Sequence, residues 1–244
     1  MKQKLKIAVV IILSFVLLNA IAFGAYVGDY YRAEDCVKDY LNSSDTVTVT
    51  KEAKDIVFAP KDATSLFIFY PGGKVEYTAY APLMYACAER GILCILVKMP
   101  ANLAVFDRKA AERYSDRYPE LKNRFIGGHS LGGAMAAAYA YHNIDECSGL
   151  VLLGSYSSFD LSSSSLPVLS VYGSEDKILN KNQYEGKRGN LPSDFTEIVL
   201  EGGCHAYFGR YGDHKGDGVP SLTPEEQIEK TACIIAEFFQ SKTV

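Results

Sequence analysis

Residues 124–141 place one serine where nucleophilic chemistry is feasible. Gly128-His129-Ser130-Leu131-Gly132 has the spacing Gly-x-Ser-x-Gly; Phe125 and Ile126 read as the end of a buried strand, and the alanine-rich run over 131–141 reads as a helix. Turning from strand to helix at a single residue strains the backbone there and crowds the positions two away on each side, so only small residues fit. Ser130 then stands clear of the sheet edge as a nucleophile, and Leu131 offers its N–H to a developing oxyanion. The plainer alternative is a helix N-cap; the strand before and the small-residue helix after supply the context that the nucleophile reading requires.

A serine hydroxyl is a weak nucleophile at neutral pH. It needs a histidine to take its proton and a carboxylate to hold that histidine in the right tautomer. Asp176 follows the apolar run 167–172 in Gly173-Ser174-Glu175-Asp176, and His205 follows the run 195–200 in Gly202-Gly203-Cys204-His205. Each alone reads as a turn or surface residue, but the order Ser, Asp, His, with every member just past a strand, matches where open parallel sheets place their ligands. Asp160 and Glu175 are the alternative carboxylates. His129 has its direction fixed by Ser130 and points away from the nucleophile, and His142 and His214 read as solvated. The second oxyanion donor is expected from Pro71-Gly72-Gly73-Lys74, with the Gly73 amide first and that of Lys74 next.

Lys74, Lys98 and Arg210 also fall in loops after strands, where a cationic rim would favour a substrate carrying a carboxylate; solvated surface charges are the competing reading. Residues 209–218 mix Asp, His and Gly, but their spacing fits no calcium loop or zinc motif, so no metal is expected. No organic cofactor is required by this chemistry.

These residues need a sheet to hold them. Residues 46–50 and 55–59 read as a hairpin, and 65–70, 92–97, 149–153, 167–172 and 195–200 as further strands, several of them continuous apolar runs of the kind covered on both faces. Between them, 77–90 reads as an amphipathic helix closed by Gly91, 108–117 as a polar helix, and 224–239 as a final helix. A strand, a helix and a strand in succession imply a parallel crossover. The serine-rich connection 155–165 is too short for an inserted domain.

The chain has 244 residues, 48% of them hydrophobic, enough for a substantial core in one ordinary domain. A net charge of −4 gives no basic footprint for nucleic acid. The uncharged stretch 7–27 is long enough to span a bilayer as a helix of roughly 30 Å. Lys2, Lys4 and Lys6 precede it and Asp29, Arg32, Glu34 and Asp35 follow, which places the N-terminus in the cytoplasm and the rest outside. Ala20-Ile21-Ala22 resembles a cleavage site, so secretion after cleavage is the alternative, although apolar character continues past it. The expected organisation is a cytoplasmic tip and anchor over 1–28, a connector helix over 29–44 and a catalytic domain over 45–244. Six cysteines permit disulfides in an oxidising compartment without specifying any, and they also suit the role of small buried hydrophobes.

Four stretches carry a resemblance to a known family: residues 69–76, Val97-Lys98-Met99-Pro100, Gly127-Gly128-His129-Ser130-Leu131-Gly132-Gly133, and residues 202–209. From about Leu66 onward the sequence resembles the α/β-hydrolases, more narrowly the small lidless fold-5 family related to dienelactone hydrolases. The resemblance implies an α/β-hydrolase fold, with a mostly parallel sheet flanked by helices, Ser130, Asp176 and His205 as the triad, and hydrolysis as the reaction class. Similar family members often carry an N-terminal membrane anchor. Cys204 departs from the family, where a polar residue is usual. The expected activity is hydrolysis of a small ester or lactone; acyl transfer with the same triad, or a cell-surface binding protein that keeps only the fold, are the alternatives.

Overall fold

Strands without a polar face must be covered on both sides, and the central strands obey this rule. The computed structural model describes residues 2–242. Eight strands form one sheet: β1 (Val47–Lys51), β2 (Asp55–Pro60), β3 (Ser65–Tyr70), β4 (Ile92–Val97), β5 (Arg124–His129), β6 (Gly149–Leu153), β7 (Val168–Gly173) and β8 (Thr196–Leu200). Their order is β1-β2-β4-β3-β5-β6-β7-β8. The β1/β2 and β2/β4 pairs are antiparallel and all later pairs are parallel. Every residue of β3, β4 and β6 is buried.

Alternation along the strands divides the core in two. Phe67 and Phe69 face one side with helix α2 (Ala81–Ala88) and helix α5 (Pro224–Lys242), where Phe239 stacks on Phe125 with ring centroids 3.6 Å apart. Leu66, Ile68 and Tyr70 face the other side with helix α3 (Leu131–His142). Ala136, Ala137 and Ala140 give α3 a side narrow enough to lie close on the sheet.

The connector helix expected over 29–44 is corrected. Tyr31 pairs with Val75 as a parallel bridge, its N–H donating to the Lys74 carbonyl at 2.8 Å and its own carbonyl accepting from Glu76 at 2.8 Å. Helix begins only as a 3-10 turn at Asp35–Leu41, which buries Val37 in the domain core. Backbone pairing to 74–76 thus overrides the helical spacing, and the compact unit begins at Tyr31 rather than at 45. The polar segment around 108–117 is likewise a single 3-10 stretch, Ala110–Tyr114. One helix lacked an apolar period in the sequence: α4 (Lys181–Lys187), started by the Asn180 side chain accepting from the Gln183 N–H at 3.0 Å.

Residues up to Tyr30 form a separate unit containing α1 (Lys2–Gly28). Within it Ile11–Gly28 has a mean hydropathy of 2.1, so this helix is long and apolar enough to cross a bilayer, a property shared by anchors and leader sequences.

Between β5 and α3 the glycine spacing has a direct cause. A Cβ on Gly132 would overlap the carbonyl oxygens of Tyr70 and Pro71, and one on Gly128 would overlap the Tyr70 carbonyl and come 2.7 Å from the Gly132 carbonyl carbon. Crowding thus comes from the neighbouring strand end as well as from the turn itself. Gly132→Ala is expected to lower the unfolding free energy by about 1–3 kcal/mol, as overpacking against unyielding backbone does. Gly186→Ala in α4, where an added Cβ meets nothing within 4 Å, is expected to raise it by roughly 0.5–1 kcal/mol. Denaturant midpoints measure both, and a Gly132→Ala protein as stable as wild type would contradict the close approach.

Candidate active site

Neighbours β3 and β5 lie where the strand order reverses, so the loops after them flank the crevice in which open α/β sheets bind ligands. Ser130 follows β5 with φ 51° and ψ −121°, a region that costs a non-glycine residue on the order of 1–3 kcal/mol. Its backbone is fully tied. The N–H donates to the Leu153 carbonyl at 2.9 Å, and the carbonyl accepts from the Ala134 N–H at 3.1 Å and the Ser155 hydroxyl at 2.7 Å. Strain is thereby held by the surrounding hydrogen bonds, and the side chain is left half-exposed at the start of α3.

Asp176 and His205 meet next to this turn. His205 Nδ1–H donates to Asp176 Oδ2 at 2.8 Å, with both residues buried. Asp176 Oδ1 accepts from the N–H groups of Ile178 at 2.9 Å and Leu179 at 2.7 Å, so both oxygens are engaged and the carboxylate cannot swing. This tautomer, assigned from the network, leaves Nε2 of His205 as the acceptor. The pair sits against Gly154, where a Cβ would come 3.0 Å from His205 Nδ1 and 3.2 Å from Asp176 Oδ2; Gly154 follows Leu153, the residue bonded to Ser130. Asp160, by contrast, is exposed and folds back on Ser162, whose N–H and hydroxyl it accepts at 3.0 and 2.6 Å; those bonds hold its carboxyl below the usual range. Glu175 accepts from the Ser174 hydroxyl at 3.3 Å. Of the three carboxylates considered, Asp176 is the one on His205.

The loop after β3 sorts its own amides. Gly72 N–H donates to the Tyr80 hydroxyl at 3.1 Å and Lys74 N–H to the Asn102 carbonyl at 2.8 Å. Gly73 lies between them, and a Cβ there would come 2.8 Å from the Leu131 side chain. The two amides expected to face an oxyanion, Gly73 and Leu131, therefore belong to residues in close contact, while the Lys74 amide is occupied. Lys74, Ala101, Asn102 and Ser130 are the non-glycine residues with positive φ among those described, and all four belong to this neighbourhood.

His129 packs its ring 4.4 Å from that of His205, centroid to centroid, and its Nδ1 meets the Tyr80 hydroxyl at 2.8 Å. Burial, then the neighbouring imidazoles of His205 and His214, hold His129 well below the usual histidine range, so its ring is neutral. Tyr80, fully buried and with its own pKa pushed up by burial, accepts the Gly72 N–H, and with the His129 proton on Nε2 its hydroxyl donates to Nδ1. Composition and spacing gave no sign of Tyr80. His142 is exposed against Tyr141 and Phe159, and His214 rests on Tyr31.

Arg210 does not join a cationic rim. Its Nε donates to Glu34 at 2.6 Å and its Nη1 pairs with Glu225, which neutralises it in a structural tie. Lys98 is exposed, with Nζ 5.8 Å from the centroid of the Tyr77 ring, and Lys74 is half-buried. Cys204 has its peptide clamped by the Gln227 side chain of α5, which accepts its N–H at 2.9 Å and donates to its carbonyl at 2.8 Å. Burial pushes the Cys204 thiol up to about 12, which makes it an inert filler, and all six cysteines are free thiols. Among the described residues no group of three or more His, Cys, Asp or Glu side chains is placed to hold a metal ion.

No relative is found among curated protein sequences. Solved structures share the fold: TT1662 from Thermus thermophilus at 17% identity and TM-score 0.59, covering 81% of this chain and 98% of that one; Est1E from Butyrivibrio proteoclasticus at 14% and 0.57, covering 81% and 99%; and dienelactone hydrolase from Anabaena variabilis at 14% and 0.57, covering 81% and 97%. The family described as "Alpha/beta hydrolase family" matches residues 66–229, a span that holds β4 to β8 and all but the first residue of β3, together with the Ser130 turn and the Asp176–His205 pair, and the chain belongs to that family.

Proposed function

We propose that the chain is a serine hydrolase that cleaves a small ester or lactone through an acyl-enzyme on Ser130. The buried 2.8 Å hydrogen bond between His205 and Asp176, beside the strained Ser130 turn, is the observation that carries this reading. Ser130 Oγ attacks the carbonyl carbon as its proton passes to His205 Nε2. The Leu131 and Gly73 amides receive the oxyanion. Collapse breaks the ester bond, and the leaving alkoxide takes the proton back from Nε2. Water then repeats the sequence on the acyl-enzyme and regenerates Ser130. Asp176 orients the ring and stabilises the imidazolium in both halves.

Substrate size follows from what surrounds the crevice. The connection 155–166 contains no helix or strand, so no cap of regular structure is inserted after β6. An uncapped site gains roughly 0.8 kcal/mol per methylene only for those it buries, which favours short acyl groups. Lys74 and Lys98, in the loops after β3 and β4, are the rim cations that would favour an anionic substrate. The apolar helix α1 is read as an anchor in the bilayer, with the catalytic unit on the extracytoplasmic side, from the lysines that precede it.

Ser130→Ala is expected to abolish ester hydrolysis and labelling by a fluorophosphonate while the unfolding midpoint stays near wild type; a folded, active variant would sink the mechanism. Asp176→Asn is expected to lower kcat about ten-thousandfold, the scale seen when a triad carboxylate becomes an amide. Asp160→Asn should remain near wild type, and a crippled Asp160→Asn beside an active Asp176→Asn would reverse the assignment. Across an ester series kcat/KM should peak at acetyl or butyryl and fall by palmitoyl, with anionic esters preferred by wild type and the preference reduced in Lys74→Ala and Lys98→Ala. A maximum at long chains would remove the open-site argument, and indifference to charge would remove the rim.

A further inference from the structure

Asp217 lies in the glycine-rich loop 209–218, to which sequence reasoning assigned no chemistry. Its two oxygens reach the two loops that carry the candidate base and its carboxylate partner. Oδ1 accepts the Lys177 N–H at 3.2 Å, and Oδ2 accepts the Ala206 N–H at 2.9 Å. Lys177 directly follows Asp176, and Ala206 directly follows His205. One carboxylate thus spans the backbone beside each member of the 2.8 Å hydrogen-bonded pair.

The loop is built to hold Asp217 there. Asp217 N–H donates to the His214 carbonyl at 2.9 Å, and Oδ1 also accepts the Gly218 N–H at 2.9 Å, which fixes the side chain relative to its own backbone. Gly218 presses on the Glu175 carbonyl so closely that any Cβ would overlap it, and Gly216 at φ 90° makes the bend before it. A carboxylate is the side chain this arrangement needs. It offers acceptors on both oxygens, whereas an amide of the same shape presents one oxygen and one NH₂ and must turn the NH₂ toward one of the two N–H groups.

We propose that Asp217 is a positioning residue that fixes the separation and orientation of Asp176 and His205 by bridging the peptide groups that follow them. The inference rests on the reading of Ser130, Asp176 and His205 as a triad. Asp217 touches neither substrate nor the reacting atoms; it acts through the pair. Catalytic constellations tolerate little displacement, and a shift of about 1 Å at a distant support costs on the order of a hundredfold in turnover.

The test uses the full chain with Asp217→Asn, which releases one loop at nearly unchanged volume, and Asp217→Ala, which releases both. Asp213→Asn serves as a control from the same loop, its carboxylate meeting the Tyr207 hydroxyl at 3.0 Å. The low-field proton NMR signal of His205 Nδ1–H reports the Asp176 bond without any substrate. It is expected to weaken or move upfield in Asp217→Asn, more so in Asp217→Ala, and to stay in place in Asp213→Asn. Turnover per fluorophosphonate-titrated site should fall on the order of a hundredfold in Asp217→Asn with KM nearly unchanged. A role in stability alone would lower the unfolding midpoint and leave both readouts at wild type. An unmoved signal with wild-type kcat in folded Asp217→Asn overturns the proposal, and this variant decides the matter if Asp217→Ala does not fold. A wild-type chain whose Ser130 resists the fluorophosphonate, but whose low-field signal is lost in Asp217→Asn, keeps the positioning role and removes the hydrolase reading.

Discussion

The first turn of α3 rests on the carbonyl oxygens that end β3, and the geometry of the crevice depends on that contact. Tyr70 and Pro71 present their carbonyls where Gly128 and Gly132 have no Cβ. Because backbone meets backbone, the spacing between the loop after β3 and the start of α3 is set by van der Waals distance rather than by adjustable side chains. Gly73 in turn packs against the Leu131 side chain, which leaves no room for a Cβ there. Any residue larger than glycine at 128 or 132 would move the helix off the sheet and separate the two amides proposed to share an oxyanion. Ser130 absorbs the cost as a left-handed backbone, and the bonds to Leu153, Ala134 and Ser155 keep it there.

The proposed base, His205, and its carboxylate partner, Asp176, are held in addition by bonds between their loops. Beyond the last paired residues of β7 and β8 the chains stay joined: Ser174 N–H donates to the Leu200 carbonyl at 3.0 Å, Glu175 N–H to Gly203 at 2.9 Å, and Gly202 N–H to the Ser174 hydroxyl at 2.9 Å. These bonds continue the inter-strand pairing into the loops, so Asp176 and His205 inherit the register of the sheet. Gln227 on α5 then fixes the Cys204 peptide. Close backbone packing and hydrogen bonds act on both sides: Gly128 and Gly132 pack under the Ser130 turn, which three bonds hold, and Gly173 packs on the Gly203 carbonyl between the bonded loops of Asp176 and His205.

Much of this was legible in the residues, and the limits have physical causes. Strands β3 to β8 follow from apolar runs and the Ser130 turn from its glycines, because both signals are local. The choice of Asp176 over Asp160 was not local: both follow buried strands, and they differ in whether the loop turns toward His205 or closes on Ser162. The connector before 45 misled because helical spacing at Val37, Tyr40 and Leu41 says nothing about the strand-like bonds between Tyr31 and 74–76. Arg210 lies just after the His205 loop in sequence, yet Glu34, far earlier in the chain, captures it. Tyr80 acts through bonds to the Gly72 amide and the His129 ring, and Asp217 is bonded to backbone N–H groups of two loops; such bonds leave no periodic trace.

Two imidazoles in contact raise the question of which one is the base. In the proposed mechanism His205 becomes an imidazolium while His129 lies 4.4 Å away, ring centre to ring centre. If His129 were also protonated, two unit charges about 4 Å apart would repel by on the order of 4 kcal/mol at an effective dielectric of about 20. At 1.4 kcal/mol per tenfold, that would cost roughly three powers of ten in rate. Burial prevents this by holding His129 neutral. In the tautomer with the proton on Nε2, the Tyr80 hydroxyl occupies the Nδ1 lone pair, and His129 then has neither a charge to oppose His205 nor a basic nitrogen to compete with it. The same tyrosine ties down the Gly72 amide, so a single buried hydroxyl both removes the rival base and leaves Gly73 as the amide in that loop placed beside Leu131.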